Sequence, residues 1–146
     1  MKHMILRCNS AENTSYGNFQ WPSEVGAVVE APDWRNDNEC GHGLHGWLHG
    51  VGDSGASSYI RDANPKWLVV SADEVIELGG KVKFPRCTIE FIGDRKAATD
   101  YLLANDPLAV GQAVIGVFVT AGYEGTATAG YEGTATAGDY GTATAG

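Results

Sequence analysis

Residues 121–146 read AGYEGTATAGYEGTATAGDYGTATAG, an octad that is repeated once unchanged and once with Asp139-Tyr140 in place of Tyr-Glu. So short and regular a period restricts the segment to an architecture in which each copy stacks on another. Alternation along a strand puts Thr126 and Thr128 on one face and Ala127 on the other, and Thr134 with Thr136 and Thr142 with Thr144 repeat the pattern. Gly122 and Gly125 supply tight corners. Stacked strands lie about 4.8 Å apart, so one octad per coil would set Glu124 over Glu132, a destabilising like-charge contact. Two octads per coil set Glu124 on Tyr140 and Tyr123 on Asp139. The segment is therefore expected to form a parallel β-solenoid of 16-residue coils over residues 117–146, with the six threonines as its repetitive surface.

The octad resembles the octapeptide of bacterial ice-nucleation proteins, in which two octads make one solenoid coil. Three octads amount to about one and a half such coils, fewer than a solenoid needs to bury a core unaided. The domain before it is expected to cap one end, and the other end is open to self-association or continues in a longer natural array. The Thr-x-Thr ladders also resemble those of ice-active solenoids, which makes ice binding one reading of the surface.

Residues 1–116 have a different texture. Short apolar and β-branched runs at 4–8, 25–31, 44–48, 67–72, 82–84, 87–92 and 114–120 read as strands between Gly, Pro, Asn and Asp. GDRKAATDYLLAND reads as a helix capped by Asp94, with Ala97, Ala98, Tyr101 and Leu102 on one face and Pro107 past its end. A shorter helical turn is expected at 55–60. The fold class is α+β, a small, mainly antiparallel sheet domain with one clear helix, followed by the solenoid. Trp21, Trp34, Trp47 and Trp67 read mainly as core and loop anchors, with Trp21 or Trp34 as candidates to line a pocket.

A net charge of −8 with ten scattered Lys and Arg residues argues against nucleic acid as a partner. No apolar run approaches the length of a membrane span, and MKHMILRCNS lacks the pattern of a signal peptide. The expectation is no membrane and a cytoplasmic protein, in the host cytoplasm if phage-encoded. Cys8, Cys40 and Cys87 are an odd set without a secretory signal and read as reduced thiols.

The densest chemistry lies in CGHGLHGWLHG, residues 40–50, where Cys40, His42, His45 and His49 offer four possible metal ligands. Their C-x-H-x2-H-x3-H spacing matches no common zinc pattern, so no metal is expected. The succession MILRC, APDW, ECGHGLHG, KWLVV, LGGKVKFPRC and FIGDRKAATDYL resembles an uncharacterised domain family of phage and bacterial proteins over residues 4–103, often sited ahead of such repeats. In that resemblance His45, within Gly41-His42-Gly43-Leu44-His45-Gly46, is the characteristic position, and no activity is implied. A second resemblance runs from Gly41-His42-Gly43-Leu44-His45 through Ala56 and Tyr59 to Trp67-Leu68-Val69-Val70. This order is similar to that of ADP-ribosyltransferases, and it implies Arg7, His45 and Gln112 as candidate catalytic positions and NAD or another small nucleotide as ligand. With Trp34 added, Arg7 and His45 are the candidate ligand-binding residues. Leu44 is expected to face the core and His45 a cleft shared with Arg7. The leading reading is non-enzymatic and has no cofactor: a phage-type or bacterial domain capping a solenoid that serves as a spacer or multivalent surface.

Overall fold

The computed structural model describes residues 2–121, 126–129, 134–137 and 142–145. The strands are β1 His3–Asn9, β2 Thr14–Ser15, β3 Phe19–Gln20, β4 Val28–Glu30, β5 Leu44–Leu48, β6 Lys66–Ala72, β7 Ile76–Glu77, β8 Val82–Phe84 and β9 Arg86–Gly93. Helix α1 spans Arg95–Asn105, and β10 Phe118–Ala121, β11 Thr126–Ala129, β12 Thr134–Ala137 and β13 Thr142–Ala145 follow. A seven-stranded antiparallel sheet in the order β4-β9-β6-β1-β5-β8-β7 forms the body of an α+β domain.

The sheet is buried on both faces because apolar residues alternate through its central strands. Trp67 and Val69 of β6, with Leu6 and Cys8 of β1, pack against Ala98 and Leu102 of α1 and against Val114, Ile115 and Val117. Leu68, Val70 and Ala72, with Ile5, face Trp21, Val29, Leu44, Phe84 and Ile89 on the other side. The helix starts where Asp94 accepts a hydrogen bond from the Ala97 amide at 2.8 Å, satisfying a donor that the first turn leaves free. Tyr101 stacks on Phe91 with ring centroids 5.1 Å apart, tying the helix to β9.

Three expected elements differ. Strand 25–31 contracts to Val28–Glu30, because Gly26 adopts a φ of +92° and turns the chain before the ladder can start. Strand 114–120 begins only at Phe118: Gly116 has a φ of +79°, and Val114, Ile115 and Val117 are used as core residues under the helix. The turn expected at 55–60 is a 3₁₀ helix at Ser54–Ala56, whose amide at Gly55 donates to Asp53.

In the repeat, strands sixteen residues apart pair in parallel. Phe118 is opposite Thr134 and Thr120 opposite Thr136; Thr126 is opposite Thr142 and Thr128 opposite Thr144. The Thr134 amide donates to the Val117 carbonyl at 2.6 Å, linking the second octad to the domain. Thr134 and Thr144 are exposed. The expected corners at Gly122 and Gly125 and the stacking of Tyr123, Glu124, Glu132, Asp139 and Tyr140 lie outside the described residues.

Gly46 carries the tightest demand inside the sheet. A Cβ there would sit 2.4 Å from Ile5 Cγ2 and 3.0 Å from the Leu6 carbonyl oxygen, so β1 and β5 would have to separate. Gly46→Ala should cost about 1–3 kcal/mol, read as a lower urea midpoint with an unchanged slope.

Candidate functional site

β1 pairs with β6 along all seven of its residues but with β5 only at Ile5–Leu48 and Leu6–Trp47. Beyond that point β1 and β5 part, and a cleft of about 600 Å³ opens between them, lined by Arg7, Gly46 and His45 and roofed by the segments around Gly41, Ser57 and Lys81. Leu44 is buried and His45 half-buried, as their alternation on β5 implies.

Arg7 is the central group. The residue is 9% exposed, and the guanidinium is fixed on three sides. Nε and Nη2 donate to Asn9 Oδ1 at 3.0 and 2.6 Å, and Nη1 donates to the His45 carbonyl at 2.7 Å. The Trp21 ring covers one face at 4.2 Å. Asn9 is held in turn, donating to Asn13 Oδ1 at 2.9 Å. Asn13 adopts a φ of +63° and donates to the Trp21 and Pro22 carbonyls. Burial pushes the Arg7 guanidinium down to about 10, which still leaves it charged at neutral pH.

His45 Nε2 accepts a hydrogen bond from the Gly41 amide at 3.3 Å. That bond requires a lone pair on Nε2, and therefore a neutral ring with its proton on Nδ1. Burial, reinforced by the positive charges of Lys81, Arg7 and Lys83, pushes His45 down to about 4. Burial pushes the Cys8 thiol at the cleft floor up to about 12, so it is no thiolate nucleophile.

The Cys/His cluster of the sequence is dispersed. Gly41 and His42 have φ values of +93° and +54°, and this reversal directs His42 towards Asp33, 3.7 Å away. Cys40 Sγ accepts from Lys81 Nζ at 3.0 Å. His49, with a φ of +55°, leaves the strand on the helix side and meets Asp106 at 2.7 Å. Among the described residues no three metal-ligating side chains converge. Cys8 and Cys87 are buried and Cys40 exposed, all three as free thiols.

Two of the sequence-derived candidates lie elsewhere. Trp34 does not line the cleft: its ring lies 5.3 Å from Lys83 Nζ and packs against Gly43. Lys83 is fully buried and pairs with Asp37 at 2.5 Å, so Trp34 belongs to the clamp that holds loop 32–43. Gln112 is exposed in the turns after α1 and lies outside the cleft, because residues 106–117 are drawn to the helix side by their own core contacts. Arg7 and His45 are brought together without the third member of the ADP-ribosyltransferase-like set. The sequence reading missed Asn9, Asn13 and Lys81. Only Arg7-x-Asn9, two polar residues on one face of a strand, signals the first of these.

Residues 4–103 match the family described as a domain of unknown function, DUF7666. The chain belongs to the DUF7666 family. An ice nucleation protein of Xanthomonas campestris pv. translucens is 35% identical over 111 residues, 73% of this chain and 7% of its own length. An ice nucleation protein of Pseudomonas syringae pv. syringae is 30% identical over 126 residues, 82% of this chain and 10% of its length. Ice nucleation protein InaU of Pantoea ananas is 32% identical over 106 residues, 70% of this chain and 10% of its length. The DUF7666 chain thus spans a tenth or less of each of these three relatives. No solved structure matches it. These relatives support the resemblance to ice-nucleation proteins and lend nothing to the ADP-ribosyltransferase resemblance.

They also correct the cytoplasmic expectation, since ice nucleation proteins are outer-membrane-anchored surface proteins. That expectation rested on the residue pattern of these 146 residues alone, which span a tenth or less of the relatives and carry no weight on location. Among the described residues no helix is long and apolar enough to cross a membrane.

The His45 shift gives a pH signature. Its folded value lies below the unfolded one, so the unfolded chain binds more protons between about pH 6.5 and 4 and stability falls as the pH drops through that window. The loss is on the order of 2 kcal/mol after allowance for solvent at the half-buried ring. Urea unfolding at pH 7 and pH 4.5 should show it, and His45→Gln should flatten that part of the profile.

Proposed function

We propose that this chain is a non-enzymatic module in which the DUF7666 domain caps a parallel β-solenoid of 16-residue coils and sets its register. The observation that carries the proposal is the pairing of Thr126 with Thr142 and of Phe118 with Thr134, both sixteen residues apart. A domain cap meets a physical need: the strands β11, β12 and β13 are all TATA, so only the residues between them resist a slip of one repeat, whereas β10, of unrepeated sequence FVTA, offers one non-degenerate edge. Val117, buried in the core immediately before β10, anchors that edge. The outer surface of such coils carries rows of threonine, a repetitive array suited to multivalent contact, including contact between copies at the last coil.

A second reading of the same surface is favoured by the names of the relatives, ice nucleation proteins. In it the threonine rows order water in the manner of an ice-binding face. The area grows with the number of coils, so activity in droplet freezing should rise across a series of chains with added octads and be weakest for 146 residues. A freezing temperature independent of octad number removes the ice reading and leaves the capped solenoid standing.

The register is tested by cross-linking. Cysteines placed on paired strands lie within disulfide reach, so a Thr126→Cys/Thr142→Cys chain should oxidise to an intramolecular disulfide in a Cys40→Ser background. A Thr126→Cys/Thr134→Cys chain should not. Preferential bridging of the second pair would show an eight-residue coil and sink the proposal.

A further inference from the structure

We propose that the cleft between β1 and β5 is a binding site for a small organic oxyanion, a carboxylate or phosphate carried on an aromatic or apolar body, with Arg7 as its anchor. The first ground is an unbalanced charge. Arg7 is nine-tenths buried and forms no ion pair among the described residues, and its hydrogen bonds go to a neutral amide and a neutral carbonyl. The titratable groups acting on it are the thiols Cys87 and Cys8 and the phenol Tyr59, with no carboxylate among them. A cation withdrawn from water without an anion is costly, and proteins compensate such a charge by pairing. The missing partner has room to enter, because Arg7 itself lines the open cleft.

The second ground is spare donor capacity in a fixed geometry. A guanidinium has five N–H groups. Among the described residues each terminal nitrogen of Arg7 makes one hydrogen bond, which leaves one N–H on each for an incoming oxyanion. Asn9 fixes the rotation of the group and Trp21 covers one face, so little side-chain freedom remains to be lost on binding. Planar, two-point recognition of carboxylate and phosphate is what this side chain does best.

The third ground is the character of the walls. The protein carries a net charge of −8, yet among the described residues the cleft is lined by two permanent cations, Arg7 and Lys81, against one carboxylate, Asp33. This local reversal of sign focuses anions on the cleft and repels them from the rest of the surface. Ser57 and Ser58 add hydroxyls, while Phe19 and Tyr59 supply aromatic surface. A cleft of about 600 Å³ is far larger than a bare phosphate ion and falls in the range of sites for organic ligands. His45, neutral at physiological pH, adds polarity without competing charge.

The test is calorimetry and thermal shift on the full chain at low ionic strength with four probes: adenosine monophosphate, benzoate, and their neutral counterparts adenosine and benzamide. Binding of either anion, with a raised melting temperature and without a comparable effect of its neutral counterpart, is the expected result. A response to adenosine monophosphate alone assigns the oxyanion as phosphate, and a response to benzoate alone as carboxylate. Arg7→Gln should weaken binding roughly tenfold or more. Should Arg7→Gln fail to fold, Lys81→Gln at the rim carries the test, with an affinity about threefold to tenfold lower and a reduced salt dependence. The proposal is overturned if neither anion binds better than its neutral counterpart, or if Lys81→Gln and added salt both leave the affinity of the anion unchanged.

Discussion

A single guanidinium organises one half of this domain. Arg7 stands where β1 loses β5 as a neighbour and keeps β6, and its bond to the His45 carbonyl bridges strands that no longer share a ladder. Asn9, Asn13 and the backbone around Trp21 form a polar chain behind it, and no buried polar side-chain atom among the described residues lacks a partner. These hydrogen bonds hold the guanidinium rigidly in place while its charge stays unpaired among the described residues. The residues involved come from β1, the loop after it and β5, so the orientation of the segment carrying Trp21 and the opening of the cleft are settled together.

A second buried cation does the same for the opposite wall. Lys83 lies on β8 across from His45 and is completely enclosed by Asp37 and the Trp34 ring. Loop 32–43 has almost no regular structure of its own, and this pair gives it a fixed position. The wall of the cleft is therefore held by charge and aromatic contact, and the core beneath it by apolar packing on both faces of the sheet.

The parts legible in the sequence were those governed by period. The alternation of residues 67–72, the capped helix after Asp94 and the octad pairing at a spacing of sixteen all follow from side-chain direction and local chemistry. What was not legible depends on a few unusual backbone angles and on long-range partners. Gly41, His42 and His49 with positive φ scatter an apparent ligand cluster. Residues 82–84 read as a strand, but nothing local reveals that Asp37, forty-six residues before Lys83, and Trp34 enclose that lysine. Gln112 seemed close to Arg7 only through a borrowed order of motifs. The core contacts of Val114, Ile115 and Val117 take that segment to the other side of the sheet.

The bond between the Thr134 amide and the Val117 carbonyl joins unique sequence to repeated sequence. Repeats that are interchangeable hold no information about phase: each octad is as fit for one side of a coil as for the other. In the proposed solenoid, phase is imported from outside the array through one strand whose preceding residue, Val117, is buried in the hydrophobic core. Every later coil of the proposed solenoid inherits the choice by templating on the one before, as a crystal layer copies its substrate. Array length can then change by whole coils without renewed specification, while an error at the seed would be copied into every coil that follows.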